Sequence, residues 1–151
     1  MTDVTHKSDL DKIREQKGKI VVKGAQENNL KNIELYNQLV GGENSHTTKT
    51  VDSLIYDHCE KIDLIKIDTE GYEYEILSSI NMQSIESFRK TIILVEVDNS
   101  SSLKIFKLLK HHDCYSIDKS SIMNEDKIIQ NIKKHGRGMD NLLFIPKDLN
   151  I

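Results

Sequence analysis

The fold turns on the stretch Asp63-Leu64-Ile65-Lys66-Ile67-Asp68-Thr69-Glu70-Gly71-Tyr72-Glu73. A short apolar run stops abruptly at two carboxylates and a glycine. Ile62, Leu64, Ile65 and Ile67 are mostly β-branched and nearly continuous, which predicts a strand covered on both faces. Asp68 and Thr69 break the run and can cap a helix, because their side-chain oxygens accept orphan backbone N–H groups. Gly71 permits a tight turn. Tyr72, Ile76, Leu77 and Ile80 then recur at helical spacing. Glu70, Glu73 and Glu75 fall in or near the first turn, where the helix dipole favours negative charge. In an open α/β sheet, ligands bind beyond the carboxyl ends of the strands. Asp68 and Glu70 would stand there. The competing reading makes both of them capping groups.

Downstream, the alternation of strand and helix is regular. Asp52 can cap a short helix through Leu54, Ile55, Tyr56 and Cys59. Ser84 to Arg89 reads as a helical turn. Thr91-Ile92-Ile93-Leu94-Val95-Glu96-Val97-Asp98 is the strongest strand signal and also ends in carboxylates. Ser100, Ser101 and Ser102 precede a helix bearing Leu103, Phe106 and Leu109. Cys114 to Ile117 reads as a strand, Asn124 as the cap of a helix with Ile128, Ile129 and Ile132, and Asn141 to Ile145 as a last strand stopped by Pro146. Upstream, Ser8 can cap a weak helix through Leu10 and Ile13, and Ile20-Val21-Val22 is a short strand. Ala25 to Lys31 is a turn or short helix. Ile33, Leu35, Leu39 and Val40 suggest a strand ended by Gly41-Gly42. Strands alternating with helices predict an α/β fold with a largely parallel sheet.

The chain has 151 residues, which predicts one domain spanning 1–151 with a real core. Its 21 basic and 24 acidic residues give a net charge of −3 and argue against non-specific nucleic-acid binding. No apolar run approaches the roughly 18 residues of a membrane span, and Met1 to Lys7 lacks the apolar core of a signal peptide. Cys59 and Cys114 make neither a disulfide framework nor a zinc site, so a reducing, cytoplasmic setting is expected. His111-His112-Asp113-Cys114 contains metal-ligating types. Adjacent histidines on a helix diverge, however, and a solvated helix end is the better reading. Lys133-Lys134-His135-Gly136-Arg137 complements a helix C-terminus; a phosphate role for Arg137 is the lesser alternative.

Val51-Asp52-Ser53-Leu54 followed by the Ile62–Leu77 stretch resembles the FkbM-type family of S-adenosylmethionine-dependent methyltransferases. Ile92 to Val97, Asp140 to Pro146, and Asn32 to Asn37 with Gly41 add to the resemblance, which covers about residues 20–146. It implies a Rossmann-like class I methyltransferase sheet of order 3-2-1-4-5-7-6, mostly parallel with strand 7 reversed. The Asp68 strand would be the fourth, the Glu96 strand the fifth, and the last two would pair as 6 and 7. The reaction implied is methyl transfer from S-adenosylmethionine to an oxygen of a small molecule or sugar. Asp68 would face the acceptor hydroxyl, Glu70 would bind the acceptor or hold the turn, and Glu96 would line the same crevice.

Two features of the family are not found. No Gly-x-Gly follows a strand and opens a helix in the first half; Gly136-Arg137-Gly138 lies in the wrong context. Ile20 to Val22 ends in Lys23 where the family has an acid. A βαβ unit takes roughly 30 residues, and only 32 precede Ile33, so the domain is expected to be incomplete on its N-terminal side. The Asp68 strand would then be a sheet edge. It would be filled by the N-terminal segment, by a further copy of the chain, or by a complementary subunit. A catalytically inactive remnant acting as a binding subunit is the alternative to an enzyme. A third reading gives the carboxylate crevice to a divalent cation.

Overall fold

A computed structural model of the chain describes residues 26–33, 36, 39–41, 48–58, 62–69, 71–80, 86–117, 121–135 and 140–149. The expectations for Ser8 to Ile13, Ile20 to Val22, Cys59, Glu70, Gly42 and Gly136 to Gly138 fall outside these residues. Contacts divide the chain into two units, Met1–Leu39 and Val40–Ile151.

In the first unit, Gln26 and Glu27 are helical and lead into a turn closed by Asn29 N–H donating to Gln26 O at 3.1 Å. Asn29 adopts a φ of 53°, a conformation that asparagine tolerates better than most residues. Leu30, Ile33 and Tyr36 are exposed. Of the strand expected through Ile33, Leu35, Leu39 and Val40, Leu39–Val40 form β1, Ile33 lies outside a strand, and Leu35 falls outside the described residues.

β1 pairs with β2 (Thr48–Lys49), and Gly41 N–H donates to Lys49 O. Helix α1 (Val51–His58) follows. Its cap is Thr50 rather than Asp52: Thr50 Oγ1 accepts from Ser53 N–H at 3.3 Å, and Ser53 Oγ donates to Thr50 O. Asp52 falls one residue inside the helix, too late to cap it.

The main sheet holds β3 (Leu64–Ile67), β4 (Ile92–Val97), β5 (His112–Ser116), β6 (Ser121–Met123) and β7 (Asp140–Pro146) in the order β3-β4-β7-β5-β6. β3 and β4 are parallel, whereas β7 runs antiparallel to both β4 and β5, and β6 antiparallel to β5. The first four strands thus follow the expected 4-5-7-6 sequence with the seventh reversed. The expectation of a mostly parallel sheet is corrected. Inserting a reversed β7 between β4 and β5 removes one parallel pairing, and β6 adds a second reversed strand. Only the β3–β4 pair remains parallel among the described residues.

The two sheet faces differ. In β4, Ile93, Val95 and Val97 are buried while Ile92, Leu94 and Glu96 are half-buried. Register continues the buried row through Leu142, Phe144 and Cys114. That face forms the core with Ile76 and Leu77 of α2 (Glu73–Ser78), Phe88 of α3 (Glu86–Arg89), Ile105 of α4 (Ser102–Leu108) and Ile128 of α5 (Glu125–His135). The opposite face carries Leu64 and Ile122, both exposed, together with Lys66 and Glu96. The expected cap of α5 is present: Asn124 Oδ1 accepts from Lys127 N–H at 2.9 Å.

Candidate active site

Strand register builds the site. Ile67 lies opposite Val95 in a parallel pair, so the next residues, Asp68 and Glu96, come side by side at the carboxyl end. Lys66 precedes Asp68 by two residues and therefore shares its face. Lys66 Nζ lies 2.9 Å from Asp68 Oδ2, with both side chains substantially exposed. This ion pair, followed by the hydrogen bond with Glu96, lowers the Asp68 pKa below the usual aspartate value. Glu96 moves the other way. Its hydrogen bond with Asp68 raises its pKa first, then partial desolvation, the charge of Asp68 and that of Glu73, with Lys66 opposing. Two adjacent carboxyls titrate as a pair. Within the pair, Asp68 is the carboxyl more readily ionised and Glu96 the one that holds a proton more readily.

The turn after Asp68 is organised by Glu73, which sequence reasoning treated only as a charge near a helix dipole. Glu73 is 2% exposed. Its Oε1 accepts from Thr69 N–H, Thr69 Oγ1–H and Gly71 N–H, each at 3.0 Å, and Oε2 lies 3.1 Å from Gly71 N. The expected capping by Asp68 and Thr69 is corrected. Helix α2 starts after Tyr72 with no side-chain cap bond, and the first helical residue instead reaches back over the turn. The capping-box logic of a glutamate folding back onto preceding N–H groups was the available signal. Lys66 was also missed, although period-2 alternation placed it beside Asp68. Glu70 lies outside the described residues.

Asp98, the other acid at the end of β4, is engaged in structure. Its Oδ1 accepts from Ser100 N–H at 2.9 Å and Ser101 N–H at 2.7 Å, and both serine hydroxyls donate to it. The Ser100 hydroxyl and these other donors lower its pKa. Among the described residues, Asn99 Nδ2, Ser102 Oγ and Ser116 Oγ are buried without a hydrogen-bond partner. They sit after β4, at the start of α4 and at the end of β5, the same end of the strands as Asp68.

A model of the FkbM methyltransferase domain matches residues 13–136. The chain belongs to the FkbM methyltransferase family. No curated protein and no solved structure matched it.

Neither Gly41 nor Gly71 makes a backbone cradle for a ligand. Gly41 makes a close approach, but to the chain itself: a Cβ there would lie 2.7 Å from the Thr48 methyl. A Cβ at Gly71 would meet nothing within 4 Å. No group of three His, Cys, Asp or Glu side chains among them is arranged to hold a metal ion. Of the His111-His112 pair, His111 is exposed in the turn after α4, as a solvated helix end would be, and only His112 departs from that reading. His112 is buried in β5 with Nε2 3.1 Å from Thr91 O, because antiparallel pairing with β7 extends the strand back to His112. No described helix is long and apolar enough to cross a membrane.

Proposed function

We propose that this FkbM family member is an S-adenosylmethionine-dependent methyltransferase with a Rossmann-like class I sheet, acting on an oxygen of a small molecule or sugar. The observation that carries the acceptor-side assignment is the Asp68–Glu96 pair at the carboxyl ends of two parallel strands. When bound, S-adenosylmethionine supplies an electrophilic methyl group. The chain's own contribution is to orient the acceptor hydroxyl and take its proton. Asp68, kept ionised by Lys66, accepts that proton, and Glu96 fixes the orientation of Asp68. Glu70 binds the acceptor or the turn. No residue is assigned to the cofactor.

The test is transfer of labelled methyl from S-adenosylmethionine to a panel of hydroxylated small molecules and sugars. Asp68→Asn is expected to lower turnover by about 10²- to 10⁴-fold, with affinity for S-adenosylhomocysteine unchanged. Loss of that affinity in Asp68→Asn would assign Asp68 to the cofactor instead.

A second reading rests on the edge of β3. Among the described residues it pairs only with β4, and Leu64 is 55% exposed. In that reading the protein is a binding subunit whose sheet edge is covered by a further copy or a complementary chain. Concentration-dependent association without cofactor binding is its signature in sedimentation experiments.

A further inference from the structure

We infer that Glu73 is a positioning residue: its buried carboxylate clamps the turn from Thr69 to Gly71 and so fixes Asp68 against Glu96. The inference deepens the proposed function and rests on its assignment of Asp68. Three donors from two residues converge on this one side chain, which is almost fully buried. One of them is the backbone N–H immediately after Asp68. Gly71, another donor, adopts a φ of 114°, where L residues are strained. The turn therefore holds an unusual backbone shape, and Glu73 is the group bonded to both ends of it.

Asp68 itself has no such support. Its contacts are the exposed Lys66 ammonium and the Glu96 carboxyl, both reached across the sheet face. Exposed ion pairs hold geometry weakly. The fixed backbone beside Asp68 is what keeps its carboxylate within hydrogen-bond reach of Glu96.

The charge of Glu73 also bears on Glu96, and this separates two roles experimentally. The groups that act on Glu96 are Lys66 of β3, Asp68 just after it, and Glu73 of α2. Removing the Glu73 charge alone makes Glu96 easier to ionise and does not raise the Asp68 midpoint. Losing the clamp frees Asp68 from Lys66 and Glu96 and moves it up, toward the ordinary aspartate value.

The experiment is a carbon-detected NMR titration of the side-chain carboxyls in the full chain, comparing wild type, Glu73→Gln and Thr69→Val. Thr69→Val keeps the N–H donor and removes only the hydroxyl bond, so it preserves the fold if Glu73→Gln does not. The expected result is an upward shift of the Asp68 midpoint in Glu73→Gln and a smaller upward shift in Thr69→Val. An Asp68 midpoint that is unchanged or lower in folded Glu73→Gln overturns the inference. So does an unchanged midpoint in Thr69→Val when Glu73→Gln does not fold. Binding of S-adenosylhomocysteine to the wild-type chain is read separately. Its absence removes the methyltransferase reading and leaves the clamp standing or falling on the titration.

Discussion

Lys66 and Asp68 show how a strand's two-residue period becomes chemistry. Both project to the same face, and the ammonium holds the carboxylate in its ionised form. Replacing Lys66 with methionine removes the cation and keeps the length of the side chain. The Asp68 midpoint is expected to rise, and the acid limb of any activity that depends on ionised Asp68 should move to higher pH. An NMR titration of Asp68 checks the first, and a pH–rate profile the second. The positions of Asp68 and Glu96 were legible because each ends an apolar run. Their mutual contact was not, since it depends on register between strands that a linear pattern does not contain. The distinct fate of Asp98 was also hidden. Its neighbours Ser100 and Ser101 turn it into the acceptor of a local turn.

The elements themselves were read well where hydrophobic periodicity was long. β3, β4, α4, α5 and β7 appear where apolar spacing predicts them. Short elements were less visible. β6 has only three residues and is held by antiparallel pairing with β5. It ends the sheet, and Lys127 Nζ donates to Ile122 O from outside, which covers part of an open strand edge. Helix starts shifted by a residue or more because caps are chosen by hydrogen-bond geometry: Thr50 in place of Asp52, and Glu73 in place of Asp68 and Thr69. Gly71 belongs to this scale. An alanine Cβ there would touch nothing within 4 Å, so any cost comes from a φ of 114° and not from collision. Gly71→Ala is expected to destabilise the chain by about 1–3 kcal/mol. A urea denaturation midpoint measures this, and an unchanged midpoint would show that the turn relaxes without loss.

At the scale of the whole sheet, one face is built for burial and the other is not. Phe144 and Leu142 of β7 continue the buried row of β4, while Leu64 and Ile122 stand exposed on the reverse. The strand order and the reversed β7 were expected through the resemblance, but the second reversed strand, β6, was not. At the end away from the carboxylates, His112 ties β5 to the start of β4 through Thr91 O, and its Nδ1 has no hydrogen-bond partner among the described residues. Burial lowers the His112 pKa below its ordinary 6.5, against the raising effect of the Thr91 carbonyl. The folded state therefore disfavours the protonated ring. The stabilising contribution is fully present above pH 6.5 and is lost as pH falls below it toward the folded-state value. Denaturation midpoints should fall over that acid range in wild type and vary less in His112→Gln. Equal pH dependence in the two proteins would remove His112 as the cause.

Family membership points to methyl transfer, and cofactor recognition is the link on which the proposed function depends. Calorimetric titration of the full chain with S-adenosylhomocysteine tests it most directly. Saturable one-site binding is the predicted result. Absence of heat and of binding at millimolar ligand would contradict the methyltransferase assignment and leave the binding-subunit reading in its place.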